Sequence, residues 1–316
     1  MKKIKVAACQ MQAELGNIAA NLARAERMIE EAFSKGTQWV ILPEFFTSGM
    51  SFDPCMLNAA LPLDGPATKL LVDAAHRHNG YVGGSFIAFK GEARKQRHNT
   101  FVLARPDGTY GIHNKDIPTF WENCYYLGGS DDGVIATEEY NVGVALCAEL
   151  WRWRTAKRLM GRVDFVVGGS GWWNFPTNVP IFKNFLAKQR EAGLNAAKEC
   201  IAEFARILGV PVVIACGAGP LKCRTPMMPF FTYESYFMGE TQIVDAEGRI
   251  LARMTHDDGE GIITAEIEPG QYHRSIAIED NKFWIPKATW FPKLLWTVLG
   301  AYGRRYYQKM AKKGIY

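Results

Sequence analysis

A repeated alternation of short apolar runs with amphipathic stretches is the feature that most constrains the fold of this chain. Residues 4–10 alternate as a strand does, residues 17–33 carry apolar side chains at helical spacing, and residues 37–42 form a buried run that Pro43 ends. The same order of strand, helix and strand is predicted at residues 142–147, 150–160 and 163–167. Alternation of this kind predicts a mainly parallel or mixed sheet that is covered by helices.

Further elements extend this pattern and add antiparallel strands. A helix at 66–78 leads into a strand with a glycine pair, and a helix at 188–208 precedes a strand at 210–216. In residues 101–111 and 239–254, apolar runs flank a PDG or an AEG turn. These two segments therefore predict hairpins within the sheets.

The composition is that of an ordinary globular protein, with 48% hydrophobic and 22% charged residues among 316. No low-complexity linker divides the chain, so we predict one domain over residues 1–280 and a C-terminal tail over residues 281–316. No run of about 18 apolar residues suggests a membrane span. The net charge of +5 is modest and gathers largely in the tail, so it does not indicate a nucleic-acid partner.

The seven cysteines are scattered and include no C-x-x-C pair, which argues against a disulfide framework and a zinc site. They favour a reducing compartment, and we expect a cytoplasmic protein. The sequence has no H-E-x-x-H motif, and His76 and His78 are two residues apart, a spacing that does not place them on one helix face. No metal site is therefore predicted.

Cys147 lies where a predicted strand gives way to a charged, helix-forming run. A thiol at a helix N-terminus faces unpaired backbone N–H groups and the positive end of the helix dipole, which favour a thiolate and can hold an oxyanion. This position suits a nucleophile. The alternative is a small buried residue that ends a core strand, so the assignment depends on partners elsewhere in the chain.

Candidate partners for this thiol follow two other predicted elements. Glu44 comes directly after a buried strand, where a parallel sheet presents its carboxyl ends, and its aromatic neighbours raise its proton affinity. Such a carboxylate suits general-base catalysis. Lys115 and Glu122 flank a Pro-Thr turn in an aromatic-rich segment just past a predicted hairpin. Taken singly, an exposed glutamate and a solvated lysine are the alternatives.

Three segments in the same order resemble the catalytic motifs of the carbon-nitrogen hydrolase, or nitrilase, superfamily. They are LPEFF with Glu44, HNKDIPT with Lys115 and GVALCAE with Cys147. The resemblance covers roughly residues 5–267 and includes the segments HNT, which starts at His98, and MGETQIVDAEGRILA. The segment from Lys115 to Gly133 looks most like the nitrilase branch; the aliphatic amidases are the other branch close to this chain.

The resemblance implies a fold, a reaction and a role for each residue. The implied fold is a four-layer αββα sandwich of mixed sheets. Cys147 attacks a carbonyl or nitrile carbon, Glu44 takes its proton and later activates water, and Lys115 stabilises the developing negative charge. Glu122 orients the substrate and supports the lysine. The implied substrate is a small amide or nitrile, which is hydrolysed through a thioester or thioimidate with release of ammonia or an amine, without a cofactor. A homodimer or larger homo-oligomer is also implied.

Two departures from the nitrilase branch bear on the substrate. Ala148 stands where that branch usually has an aromatic residue, and the following ELWRWRTAKRL lacks its usual N-x-x-P-L continuation. We therefore favour an amide and keep a true nitrilase as the alternative. Ala148 is predicted to line the substrate pocket together with Trp172, Trp173 and Asn174. Glu149 is given a structural role in the first turn of the predicted helix.

Two other interpretations remain open. A papain-like cysteine protease would pair Cys147 with His256 or His273, although the local signature of that class around the cysteine is absent. The second is a non-catalytic binding or scaffolding member of the same superfamily, a drift that Ala148 would fit. The joint presence of the glutamate, lysine and cysteine motifs argues against this second interpretation.

The tail, residues 283–316, combines an apolar stripe at helical spacing with cations at its C-terminal end. The apolar residues are Leu294, Leu295, Val298, Leu299, Tyr302, Tyr306 and Tyr307, and the cations are Arg304, Arg305, Lys309, Lys312 and Lys313. Such a stripe must be covered. We prefer a subunit interface, and contact with a membrane surface is the alternative.

Overall fold

Two mixed β-sheets form the centre of the molecule. The computed structural model describes residues 2–91, 96–228, 230–270, 279, 282–285 and 290–316. Its strands are β1 (Ile4–Gln10), β2 (Trp39–Ile41), β3 (Leu61–Pro62), β4 (Tyr81–Phe89), β5 (Arg97–Ala104), β6 (Tyr110–Asn114), β7 (Val134–Ala136), β8 (Asn141–Val144), β9 (Phe165–Ser170), β10 (Val212–Cys216), β11 (Ala218–Arg224), β12 (Thr232–Val244), β13 (Ile250–Thr255) and β14 (Gly261–Ile267). Its α-helices are α1 (Ile18–Ser34), α2 (Pro66–Arg77), α3 (Trp153–Leu159), α4 (Lys183–Leu208) and α5 (Trp290–Lys312).

Each sheet has a parallel centre with antiparallel strands at its edges. The first sheet has the order β14-β1-β2-β4-β5-β6, with β3 paired to β4, and β1, β2 and β4 run parallel. The second sheet has the order β11-β12-β10-β9-β8-β7, with β13 paired to β12, and β8, β9 and β10 run parallel. Both predicted hairpins are present, since β5 pairs antiparallel with β6 and β12 with β13.

The alternating side chains of β1 show how the layers arise. Ala7 and Cys9 pack with α1 and α2, whereas Val6 and Ala8 pack in the apolar cluster that the two sheets share. Helices α3 and α4 cover the outer face of the second sheet. The layers therefore run helices, sheet, sheet, helices, which is the four-layer αββα sandwich that the resemblance implied.

The elements around Cys147 differ from the prediction. Strand β8 ends at Val144, and the helix predicted at 150–160 is a 3₁₀ turn over Cys147–Trp151, the Cys147 turn, followed by α3. Arg152 separates the two in an extended conformation, because its buried guanidinium donates to Ala148 O (2.9 Å) and to a carboxylate across the site. Helix α4 also begins earlier than predicted, at Lys183.

Helix α5 packs against its own chain. Neither interpretation of the tail, a subunit interface or a membrane contact, predicted this packing. The helix lies on a 3₁₀ turn over Phe120–Cys124, the Glu122 turn, where Leu299 is buried, and Tyr307 is buried in a second cluster with Met310 and Tyr316. Leu294 and Val298 remain 49% exposed. Contact of these residues with a subunit or a membrane stays a prediction. Among the helices that the structure describes, none combines the length and apolar character needed to cross a bilayer.

Gly303 allows the close approach of α5 to the Glu122 turn. A Cβ at this position would lie 2.6 Å from Asn123 Cβ and 3.0 Å from the Asn123 backbone carbonyl carbon. At Gly300, one turn earlier, the nearest atom to such a Cβ is the flexible end of Arg304, at 3.2 Å. Tyr316 reinforces the contact by donating a hydrogen bond to Cys124 O at 2.5 Å.

We predict opposite effects of alanine at these two glycines. Gly303→Ala should lower the free energy of unfolding by roughly 1–3 kcal/mol, because the added methyl meets backbone that cannot yield. Gly300→Ala should be neutral or raise it by up to about 1 kcal/mol, because alanine favours the helix. Urea unfolding of both variants checks the pair. Equal effects would show that α5 does not depend on this contact.

Candidate active site

Glu44 is presented at the carboxyl end of β2, in the parallel centre of the first sheet, and its side chain is buried. Its Oε1 atom accepts hydrogen bonds from Lys115 Nζ (2.9 Å) and Asn99 Nδ2 (2.7 Å). Its Oε2 atom accepts one from the Gly171 N–H (2.9 Å), at the end of β9 in the second sheet. The carboxylate is therefore held by both sheets.

Lys115 follows β6 and is fully buried, with its ammonium between two carboxylates. Lys115 Nζ donates to Glu44 Oε1 at 2.9 Å and to Glu122 Oε2 at 2.7 Å. Glu122 Oε2 also accepts hydrogen bonds from the Thr119 N–H (2.8 Å) and from the Tyr126 hydroxyl. Glu122 Oε1 is buried and has no hydrogen-bond partner among the described residues. This oxygen remains available as an acceptor.

Cys147 completes the group. Its Sγ, one carboxylate oxygen of Glu44 and one of Glu122 all lie within 4.8 Å of one another. Three such atoms can hold a metal ion, but here the Lys115 ammonium already provides the cation. Cys147 has φ +52°, in the left-handed region, where a non-glycine residue costs on the order of 1–3 kcal/mol. The strained turn aims the thiol at the two carboxylates.

Burial sets the protonation states of these groups. Burial raises the pKa of Glu44 to about 7, although Lys115 opposes this shift. Burial also raises the pKa of the Cys147 thiol well above its ordinary value, and the charge of Glu44 adds to the shift. Burial alone would lower the pKa of Lys115, but the neighbouring anionic groups, a Cys147 thiolate and the two glutamates, raise it. The arrangement favours a protonated thiol beside a carboxylate that can accept its proton.

The helix dipole that was expected to activate the Cys147 thiol contributes little to the electrostatic field at the sulfur. The Cys147 turn has five residues, and Arg152 separates it from α3. Because the dipole effect requires an aligned helix, such a short turn contributes little. Among the described residues, the cation that acts on the thiol is the ammonium of Lys115.

Glu149 has a structural role, although not as a first-turn charge on a long helix. Its carboxylate accepts hydrogen bonds from the N–H of Leu146, which precedes Cys147, at 2.9 Å and from the N–H of Asp116, which follows Lys115, at 3.1 Å. One buried carboxylate thus ties together the segments that carry the thiol and the ammonium.

The predicted pocket residues divide into two groups. Ala148 and Trp172 are buried in the same apolar cluster as Cys147, and Trp173 packs edge-on against Phe120 with ring centroids 6.2 Å apart. Asn174 instead holds the backbone. Its amide nitrogen donates to Arg190 O (3.2 Å) and its amide oxygen accepts from the Phe175 N–H (2.9 Å). These contacts favour a structural role for Asn174.

A cavity of about 10 Å³ adjoins Glu44 and Gly171, with Met50 and Phe237 among its walls. This volume corresponds to about one water molecule. The cavity borders Glu44 but not Cys147, Lys115 or Glu122, so it offers room for one water molecule beside the candidate base.

Besides the bond from the Thr119 N–H to Glu122, sequence reasoning missed three contacts to the carboxylates of Glu44 and Glu122. Asn99 and the Gly171 N–H bind Glu44, and Tyr126 binds Glu122. Asn99 belongs to the segment HNT, which matches the family but to which the resemblance assigned no role. Tyr126 lies four residues after Glu122, and the Gly171 backbone leaves no signal in the sequence.

The papain-like alternative finds no support in the described contacts. His256 stacks on Tyr236 with ring centroids 5.1 Å apart, and its described contacts do not include Cys147. His273, the other candidate, lies outside the described residues.

His113 is buried behind the site, between the carboxylates of Glu149 and Asp131. Its Nε2 atom is 3.0 Å from Glu149 Oε2, and its Nδ1 atom contacts Asp131. Although burial alone would lower the pKa of His113, the two carboxylates raise it from 6.5 to about 9. The folded state therefore favours the imidazolium. The contribution of His113 to the free energy of unfolding is fully present below about pH 6.5 and is lost as the pH rises through about 9.

We predict that this imidazole makes the stability of the protein sensitive to alkaline pH. The free energy of unfolding of the wild type should fall by on the order of 3 kcal/mol more than that of His113→Gln between pH about 6 and about 9.5. Urea unfolding at the two pH values measures the difference, and groups that titrate in both proteins cancel. Parallel losses in the two proteins would contradict the assignment.

Comparison with known proteins places the site in a family. A family model described as carbon-nitrogen hydrolase matches residues 5–165. A nitrilase of Pyrococcus abyssi is 28% identical over 162 residues, or 49% of this chain, and the chain spans 60% of its length. An N-carbamoylputrescine amidase of Arabidopsis thaliana is 25% identical over 266 residues, which cover 80% of this chain and 82% of that protein.

A solved structure supports the same conclusion for the fold. The carbon-nitrogen hydrolase from Helicobacter pylori G27 superposes with a TM-score of 0.72 at 20% identity, covering 84% of this chain and 90% of that chain. The family model spans just over half of the 316 residues, including the segments of all four grouped side chains. This chain belongs to the carbon-nitrogen hydrolase family.

Proposed function

We propose that this protein is a cysteine hydrolase that cleaves the non-peptide carbon-nitrogen bond of a small amide. One observation carries the proposal: Lys115 Nζ lies 2.9 Å from Glu44 and 2.7 Å from Glu122, and the Cys147 thiol lies within 4.8 Å of both carboxylates. This arrangement supplies a nucleophile, a base and a cation in one buried place, and no cofactor is needed.

The first half of the reaction forms a thioester. Cys147 Sγ attacks the carbonyl carbon while its proton passes to Glu44, whose pKa of about 7 suits a base near neutral pH. The negative charge that develops on the substrate oxygen faces the Lys115 ammonium. The Ala148 N–H can also donate to this oxygen, because the first N–H groups of a helical turn have no acceptor within it.

Departure of the amine completes the thioester, and hydrolysis then restores the thiol. Glu44 returns the proton to the leaving nitrogen, and ammonia or an amine departs as the carbon-nitrogen bond breaks. Glu44 then takes a proton from a water molecule, whose oxygen attacks the thioester carbon. The carbon–sulfur bond breaks, the carboxylic acid is freed, and Glu44 returns the proton to the sulfur of Cys147. The water-sized cavity beside Glu44 is a suitable place for this molecule. The unpartnered Glu122 Oε1 is positioned to accept a hydrogen bond from the substrate nitrogen.

An amide is preferred to a nitrile for two reasons. Ala148 replaces the aromatic residue of the nitrilase branch, and the N-x-x-P-L continuation is missing. The amidase relative is also matched over 82% of its length and the nitrilase relative over 60%. A true nitrilase remains the second candidate. There the thiol would add to the nitrile to give a thioimidate, one water would displace ammonia to give the thioester, and a second water would hydrolyse that thioester.

A non-catalytic role fits the site less well. Burial of an ion from water costs several kcal/mol, and this site buries Lys115, Glu44 and Glu122 together. A scaffold gains nothing from that cost, whereas a hydrolase uses the charges in its transition state.

The test measures turnover, as the rate of ammonia release, for a panel of short aliphatic, aromatic and carbamoylated amides and the matching nitriles. Cys147→Ala should abolish turnover and leave the fold intact. Glu44→Gln and Lys115→Ala should each lower kcat by at least about 10²-fold, because each removes a transition-state interaction. Cys9→Ala, a buried thiol of β1, is the matched control and should retain turnover. Turnover by Cys147→Ala above a few percent of wild type would refute the nucleophile assignment.

The pH dependence tests the role of Glu44 separately. Because the base must be ionised, kcat/KM should fall about tenfold per pH unit below about 7. Asn99→Ala removes a hydrogen bond that favours the ionised carboxylate, so it should move this acid limb to higher pH. A limb that stays in place or moves to lower pH in Asn99→Ala would show that Glu44 is not the titrating group.

A further inference from the structure

The C-terminal tail carries a charge opposite in sign to that of the rest of the chain. Residues 281–316 contain eight of the 37 Lys and Arg residues and none of the 32 Asp and Glu residues, so their formal charge is +8. The remaining residues carry −3. A cationic segment of this kind is attracted to anionic surfaces, within the range that salt screening allows.

Contacts on one side of α5 fix its orientation. Leu299, Gly303, Tyr307 and Met310 are buried against the protein, and Trp296 packs edge-on against Phe120 with ring centroids 5.8 Å apart. The helix cannot rotate without breaking these contacts. Its opposite side therefore has a defined exposure to the surroundings.

The side of α5 that points away from the protein has an apolar half and a basic half. Trp290 is 68% exposed, and Leu294 and Val298 are each 49% exposed. The exposed cations Arg305, Lys309 and Lys312 follow on the same side. At 100° per residue, these six side chains lie within an arc of about 100°. We call these six residues the outward face of α5.

We propose that the outward face of α5 is a docking surface for the headgroup region of an anionic lipid bilayer. Trp290, Leu294 and Val298 would enter the boundary between headgroups and acyl chains, and the cations would face lipid phosphates. The helix would lie on the membrane and not cross it. This inference goes beyond the hydrolase activity and does not depend on it.

Charge complementarity favours a bilayer over a second copy of the chain. A symmetric dimer contact would bring the cations Arg305, Lys309 and Lys312 of both copies into one interface, and the tail has no acidic residue to neutralise them. Nucleic acid would neutralise the cations but would leave Trp290 and its apolar neighbours exposed. The boundary of an anionic bilayer satisfies both halves of the face.

The test is flotation of the full-length protein with vesicles of phosphatidylcholine alone or mixed with phosphatidylglycerol. We expect binding to the anionic vesicles alone and release at high salt. The triple variants Trp290→Ser/Leu294→Ser/Val298→Ser and Arg305→Gln/Lys309→Gln/Lys312→Gln should each weaken binding by at least about tenfold. Two matched controls should bind as the wild type does: Ile250→Ser/Leu251→Ser, which are 41% and 43% exposed on β13, and Lys69→Gln/Lys222→Gln/Arg249→Gln.

Three outcomes would overturn the proposal. In the first, the wild type binds neutral and anionic vesicles equally. In the second, both triple variants fold and bind as strongly as the wild type. In the third, the wild type binds no vesicles and the Trp290/Leu294/Val298 variant has a lower molecular mass than the wild type in light scattering. The last result would identify the face as a subunit interface. If a triple variant fails to fold, the lipid and salt dependence of the wild type alone still decides.

Discussion

The ammonium group of Lys115 is the interaction on which the rest of the site depends. It lies between Glu44 and Glu122 in a place closed to water. Removing a charge from water costs several kcal/mol, so each of these groups persists only because the others face it. Loss of one partner leaves an unpaired buried charge at a cost of roughly 3–5 kcal/mol. The same seclusion strengthens the field that the ammonium exerts on a reacting oxygen.

The two sheets bring these groups together because their parallel centres end on the same side. Glu44 follows β2 of the first sheet and Cys147 follows β8 of the second, while Lys115 comes from the edge strand β6. A parallel bridge between Met11 and Gly217 joins the sheets near this end. The site therefore needs no long loops, and Glu149 holds the segments of the lysine and the cysteine in register.

Sequence patterns could predict the fold and the grouped side chains because each motif directly follows an apolar strand. They could not show that Asn99 reaches Glu44 across 55 residues of chain, since pairing of distant strands leaves no local signal. The helix predicted at 150–160 begins later than expected, at Trp153, because burial of Arg152 overrides local propensity. In the tail, the spacing of apolar residues identified an apolar face but not the surface that covers it. The close approach of the Glu122 turn depends on the small size of Gly303, which does not by itself identify the neighbouring segment.

Selective alkylation tests the central claim most directly. Of the seven cysteines, all within the described residues and all free thiols, only Cys55 is not buried. A small haloacetamide that reacts according to exposure alone must therefore modify Cys55 first. If the charges around Lys115 make Cys147 a nucleophile, intact-mass and peptide analysis should show the first adduct on Cys147, formed at least about tenfold more slowly in Lys115→Met. A first adduct on Cys55, or an unchanged rate at Cys147 in Lys115→Met, would contradict the account.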